Sequence, residues 1–221
     1  MKHPCLCAAV IISLGWGQST AQGVKVPSRL DVTLSGGAAF PVGDFASPSS
    51  AEAGFASTGF ALAFAMTYRA IDYLDVGGQI VFSSNKFDEV RFSSGLGIPA
   101  GVITTGYYVN MGFLAMAGFT TAVAASVDYN IRLYGGMMWA QSPEFKGTWA
   151  GLTDKLLPSG SGYPLVYGMG TGVKIYFVDL SVRYLMANAE YEIDLGGEIV
   201  RITQPVDLIQ VTIGYIIPIR Q

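Results

Sequence analysis

The sequence predicts an all-β fold, an eight-stranded antiparallel up-and-down transmembrane β-barrel. Three observations point to it: eight segments in which bulky apolar residues alternate with small or polar ones, connections that alternate in length, and a scarcity of charge. Of 221 residues, 51% are hydrophobic, only 13% are charged and 28 are glycine, against about 25% charged in ordinary globular chains. Beyond residue 22 no stretch stays apolar for the ~18 residues of a membrane-spanning helix. Such a chain either buries a large α/β core or crosses a membrane with strands.

Period-two alternation puts successive side chains on opposite faces of a strand. The first segment, from Arg29 to Phe40, sets Leu30, Val32 and Leu34 against Asp31, Thr33 and Ser35. In the second, GFALAFAMTYR (59–69), Phe60, Leu62, Phe64, Met66 and Tyr68 are backed by Ala61, Ala63 and Ala65. Six more follow at about 74–83, 107–119, 127–134, 167–177, 180–187 and 209–219, and no segment reads as a helix. Long polar links, about 41–58, 84–105, 142–164 and 188–205, follow strands one, three, five and seven. The links at 70–73 and around 178–179 are short, and 120–126 is intermediate and apolar. Long loops at one end, short turns at the other and an even strand count are the pattern of a membrane barrel. Gly196-Gly197 reads as a hairpin tip that carries strands seven and eight beyond the bilayer.

The two faces differ in composition. A soluble barrel would cover its outer face with Lys and Glu, whereas the polar face here is Gly, Ala, Ser, Thr and Asn, which suits a narrow eight-strand lumen. The apolar face ends in aromatic residues: Phe40, Phe60, Phe82, Tyr107 and Tyr167 nearest the long loops, joined by Trp139 if strand five continues. Tyr68, Phe119, Tyr129 and Phe177 sit near the opposite ends. Two aromatic rings around an aliphatic band form the girdle expected at the two bilayer interfaces. The opposite orientation, a soluble lipocalin-like barrel around an apolar ligand, is the alternative. Asp31, Arg69, Asp75, Asp128, Arg132, Lys174 and Arg183 fall on the inward face and are expected to form an ion-pair network that plugs the lumen. A proton or ion path is the other reading of the same residues.

Residues 1–21 have the layout of a secretory signal peptide: Lys2, an apolar run from Leu6 to Leu14, and Ser19-Thr20-Ala21 as a small-residue exit. An N-terminal core strand is the alternative; a lipoprotein reading of Cys5 or Cys7 fails because both precede most of the apolar run. Cleavage after Ala21 would leave 22–221 as a single barrel domain without Cys5, Cys7 and His3, the chain's only cysteines and histidine. It would also leave 12 basic against 16 acidic residues, a net charge of −4. That balance gives no basic face for nucleic acid.

Catalytic motifs are lacking. Gly168-x-Gly170-x-Gly172 has neither the spacing nor the following helix of a phosphate-binding loop, and Gly160-Ser161-Gly162 is not a nucleophile elbow. Without a mature histidine, Ser-His-Asp chemistry and histidine-ligated metal are ruled out. The carboxylate pairs Glu190/Glu192 and Asp88/Glu89 lie in or beside loops, where solvated charge explains them. No cofactor is expected, and the chain reads as a non-enzyme.

Four stretches, LSGGAAFPVGDF (34–45), GFALAFAMTYR, LDVGGQIVF and the closing TIGYIIPI (212–219), resemble the small outer-membrane β-barrel family. Over about residues 29–219 the chain is similar to OmpX and to the transmembrane domain of OmpA. The resemblance implies the outer membrane of a Gram-negative bacterium, both termini in the periplasm and four loops outside. It carries over no catalytic residues. The chain departs from the family in ending Ile-Arg-Gln instead of in an aromatic residue, and a cell-wall anchoring role is not implied. The expected role is structural or interactive, with outer-membrane lipid as surroundings and a surface or envelope protein partner engaged through the long loops. Phe45, Phe55, Phe87, Phe92, Phe145 and Trp149 are the candidate contact residues, with folding of the loops onto the barrel rim as the alternative. A small pore is the competing functional reading, which an eight-strand lumen is too narrow to favour.

Overall fold

The computed structural model describes residues 30–50, 53–99, 101–149 and 152–219; the expected signal peptide and the side chain of Trp149 lie outside the described part. Eight strands form the barrel: β1 (Leu30–Pro41), β2 (Gly59–Ile71), β3 (Leu74–Lys86), β4 (Tyr107–Ala124), β5 (Val127–Gln141), β6 (Leu165–Ile175), β7 (Val178–Asp194) and β8 (Leu208–Ile219). Each pairs antiparallel with its sequence neighbours. β1 and β8 close the ring, in register from Leu30↔Ile219 to Pro41↔Leu208. Closure removes sheet edges, so strand backbone groups find partners without water.

The alternation resolves into an outside and an inside. In β2, Phe60, Leu62, Phe64, Met66 and Tyr68 are exposed while Ala61 and Ala63 are buried. The same outward face carries Leu34, Ile80, Phe113, Leu133, Met169, Val182 and Ile213, all exposed. A continuous apolar belt of this size does not stand in water on a monomeric protein. The buried inward positions include Thr33, Gln79, Asn110, Asn130, Ser181 and Thr212. This is the reverse of a lipocalin-like barrel, whose apolar face points in. The expected girdle residues all lie on the outward side: Phe40, Phe60, Tyr107, Tyr167, Tyr68, Phe119 and Phe177 are exposed, and Phe82, Trp139 and Tyr129 are half-buried.

Inward glycines make room. A Cβ on Gly118 would stand 2.7 Å from Cγ of Arg132, and one on Gly170 would stand 3.1 Å from both Cβ of Arg183 and a ring carbon of Tyr134. The Gly168-x-Gly170-x-Gly172 stripe therefore allows close approach of the neighbouring β7 carbonyls of Tyr184, Val182 and Leu180 as well as of lumen side chains.

Strand ends and loops depart from the sequence reading. β4 and β5 run on to Ala124 and Gln141, so the apolar link at 120–126 is mostly strand, with a turn only at 125–126. β6 stops at Ile175, and Tyr176-Phe177 make the turn, Tyr176 at φ +52°. The second loop contains a helix, α1 (Glu89–Leu96), where none was expected. Asp88 caps it by accepting from the Arg91 N–H at 3.0 Å, and Gly97 ends it in the left-handed region at φ +67°. Eight residues are too few for a periodic signal, so only the caps mark it. A small sheet of Ile103–Thr105, Phe145–Trp149 and Leu152–Leu157 joins the second and third loops. The hairpin at Gly196-Gly197 is present: the upper part of β7 pairs with Ile199–Pro205 beyond the barrel, and both glycines have positive φ.

Phe64→Arg places a charge on the outward face of β2 between its two aromatic ends. It should cost about 2–4 kcal/mol if that face meets hydrocarbon, read from urea unfolding of the barrel in lipid vesicles. A loss within about 0.5 kcal/mol, ordinary for a solvated surface site, would put that face in water.

Candidate functional site

Inward parity, set by the strand register, brings the lumen charges together. Arg69 lies near the end of β2 and Asp75 near the start of β3, paired across the hairpin; Arg69 Nε donates to Asp75 Oδ1 at 3.2 Å. Thr120 Oγ1 donates to the other oxygen of Asp75 at 2.6 Å. From β6, Lys174 reaches Asp31 Oδ2 at 3.3 Å and Asp75 Oδ2 at 4.0 Å. Arg69 also lies 3.7 Å from Asp128. Asp31, Arg69, Asp75, Asp128 and Lys174 thus form one cluster at the short-turn end.

Arg132 is not in that cluster. It pairs with Asp179 at 3.4 Å, both side chains nearly inaccessible. Asp179, in the short link expected around 178–179, stands two positions before Ser181 on the same inward face, and that parity is the signal that marks it. Arg183 forms no ion pair among the described residues. Its guanidinium donates to Gln79 Oε1 at 3.2 Å and to Thr212 Oγ1 at 3.1 Å. With Asp179 included, four carboxylates face four cations. Such a balance suits mutual neutralisation in a narrow space, because an unpaired buried ion is costly. Among the described residues no three His, Cys, Asp or Glu gather in a way that could hold a metal ion.

At the loop end the barrel is capped by aromatic rings. Phe45 is fully buried and meets Tyr108 edge-on at 4.9 Å. Phe87, 3% exposed, touches Phe55, Phe92, Phe145 and Tyr108 at centroid distances of 5.5, 5.3, 4.9 and 6.4 Å. For these residues the packing follows the alternative reading, loops folded onto the barrel rim. Phe45 and Phe87 are core, and Phe55, Phe92 and Phe145 pack half-buried against them, because rings this large gain more by burial than by standing in water. Hydrogen bonds hold the cap down. Asn85 Nδ2 donates to the carbonyls of Ala39 and Ser57 at 3.1 and 3.0 Å. The Tyr108 hydroxyl lies 2.9 Å from the Gly54 carbonyl.

The carboxylate pairs have structural partners. Asp88 caps α1, and Glu89 accepts from the Thr105 N–H and hydroxyl at 2.8 and 3.0 Å. Glu190 and Glu192, on the upper part of β7, both face Arg201, at 3.5 and 2.9 Å. Glu144 binds Lys155 at 2.8 Å and Lys146 at 3.5 Å, and the hydrogen bond to Lys155 leads the causes that lower its pKa.

Arg132→Met should cost about 3–5 kcal/mol by stranding the buried Asp179 carboxylate, and Arg132→Met/Asp179→Leu should recover most of it; urea midpoints in lipid measure both. A depressed Glu144 pKa means its pairs contribute above the ordinary carboxylate range and are lost as pH falls through the folded value. Amide exchange in Leu152–Leu157 should therefore speed up below about pH 4 while the barrel strands stay protected.

No family model matches the sequence, and no curated protein matches it. Among solved structures it is similar to Ail, the attachment invasion locus protein of Yersinia pestis, at 15% identity over 85% of this chain and 98% of that one, with a TM-score of 0.50. The same protein in complex with the heparin analogue sucrose octasulfate matches at 15% identity over 86% and 99%, with a TM-score of 0.50. Neisserial surface protein A matches at 14% identity over 87% and 98%, with a TM-score of 0.47. The likeness to Ail is one of fold: an antiparallel eight-stranded barrel of the outer-membrane kind.

Proposed function

We propose that the mature chain, 22–221, is a non-enzymatic barrel of the outer membrane of a Gram-negative bacterium, exported by the signal peptide at 1–21, with a structural or surface-interaction role. The observation that carries this reading is the outward aliphatic belt between two aromatic rings around a polar, charge-balanced interior. Such a surface is stable only in lipid. The lumen charges serve as a plug in this reading, since ions paired across a narrow interior resist conduction, which argues against the pore.

Contact with a partner falls to the loops, on residues other than the buried phenylalanines. Val90 and Leu96 on α1, Leu156 in the small sheet, and Leu195 and Ile199 on the hairpin are exposed apolar side chains. Among the described residues the loop region carries Asp44, Asp88, Glu89, Glu144, Asp154, Glu190, Glu192, Asp194, Glu198 and Asp207 against Lys86, Arg91, Lys146, Lys155 and Arg201. Four of those five cations are engaged by carboxylates within 3.5 Å. That balance favours a protein partner over a sulfated polyanion such as the one bound to Ail.

Sodium carbonate extraction of isolated envelopes tests the placement: the protein should stay in the outer-membrane pellet, and release into the supernatant would overturn it. For the loops, Leu195→Asp/Ile199→Asp should abolish a surface-binding or envelope-integrity phenotype seen on deletion of the gene while leaving barrel assembly unchanged. A double variant that restores the deletion strain fully would remove the hairpin from the contact.

A further inference from the structure

The upper part of β7 leaves the barrel paired with the strand Ile199–Pro205, in unbroken register from Asn188↔Pro205 to Asp194↔Ile199. Two hydrogen bonds fix which way the backbone of that second strand turns. At the tip the Leu195 N–H donates to the Glu198 carbonyl at 2.9 Å, and at the base the Val206 N–H donates to the Ala187 carbonyl at 2.7 Å. Antiparallel ladders alternate bonded and non-bonded pairs. Val200 and Ile202 therefore bond to β7, while Ile199, Arg201 and Thr203 turn their N–H and C=O groups to the outer edge. All three residues are exposed, and among the described residues no strand pairs with that edge.

An open edge invites another strand, and proteins ordinarily guard it with a lysine, a proline, a bulge or a cover. Among the described residues none of these lies on 199–203. The register has no bulge there, and the sequence IVRIT contains neither lysine nor proline. Four of its five residues are β-branched, which favours the extended backbone that a docked strand needs. The one cation, Arg201, is drawn back over β7 by Glu192 and Glu190, at 2.9 and 3.5 Å, and so leaves the outer edge open.

Charge selects the occupant. Between Asn188 and Pro205 the hairpin carries Glu190, Glu192, Asp194 and Glu198 against Arg201 alone. A second copy of this chain would bring the same acidic surplus to the junction, where like charges across a strand pair destabilise. A segment rich in lysine or arginine is attracted instead. Ile199 and Ile202, exposed on opposite faces of the strand, offer apolar surface beside the edge to its intervening side chains.

We propose that the outer edge of Ile199–Thr203 accepts an extended, basic segment of a partner protein as an added strand. In this mode backbone bonds supply affinity and side chains supply selectivity. The inference rests on the surface-interaction reading above and assigns that contact to the backbone groups of one strand.

The test uses the mature barrel in zwitterionic lipid nanodiscs and a fluorescent peptide, acetyl-Lys-Val-Lys-Thr-Lys-Val-Lys-amide, with a counterpart in which glutamate replaces every lysine. Anisotropy at low salt should show saturable binding of the lysine peptide above empty nanodiscs, and binding of the glutamate peptide weaker by roughly tenfold or more. Bound lysine peptide should slow amide exchange at Ile199, Arg201 and Thr203, while Val200 and Ile202, already bonded to β7, change little. Thr203→Pro removes one outward N–H without touching a bond to β7. It should weaken the peptide roughly tenfold, about the worth of a lost backbone hydrogen bond, whereas Thr203→Val should not; Ile199→Pro serves if the first variant fails to fold. No binding above empty nanodiscs, or binding that the proline variant leaves unchanged, overturns the proposal. A barrel that stays in the envelope pellet and keeps its hairpin-dependent phenotype while ignoring the peptide leaves the surface-interaction reading standing and sinks the edge alone.

Discussion

Everything in this molecule depends on the hydrogen-bonded closure between β1 and β8. Hydrocarbon offers no partner to a backbone N–H or C=O, so a sheet that crosses lipid must have no free edge. The register from Leu30↔Ile219 to Pro41↔Leu208 meets that requirement with the two ends of the described chain. Once the ring is closed at eight strands, its diameter follows, and with it the space left for side chains inside.

That space explains the residues on the inward face. Gly118 leaves room for Arg132, and Gly170 for Arg183 and Tyr134. Long charged side chains fit a narrow lumen where space is left opposite them and where an opposite charge or, for Arg183, the neutral acceptors Gln79 and Thr212 lie near. The clustering of Asp31, Arg69, Asp75, Asp128 and Lys174 at one end, with Arg132–Asp179 separate, is the arrangement that the register permits.

The loops follow different physics. They stand outside the closed ring, where water satisfies backbone groups and burial of aromatic area decides the packing. Phe45, Phe87 and Tyr108 gather over the rim although they come from three separate segments. The lumen and the loop cap are thus products of two constraints, one imposed by lipid and one by water.

Strand number and the sorting of faces were determined by the sequence alone, because a period of two maps directly onto the two sides of a sheet. The inward charges were legible for the same reason; Asp179, in the short link expected around 178–179, is marked only by its parity. Helix α1, the small sheet between loops, and the burial of Phe45 and Phe87 were decided by tertiary structure. Each depends on contacts between segments far apart in the chain, and no local periodicity encodes which distant rings will meet.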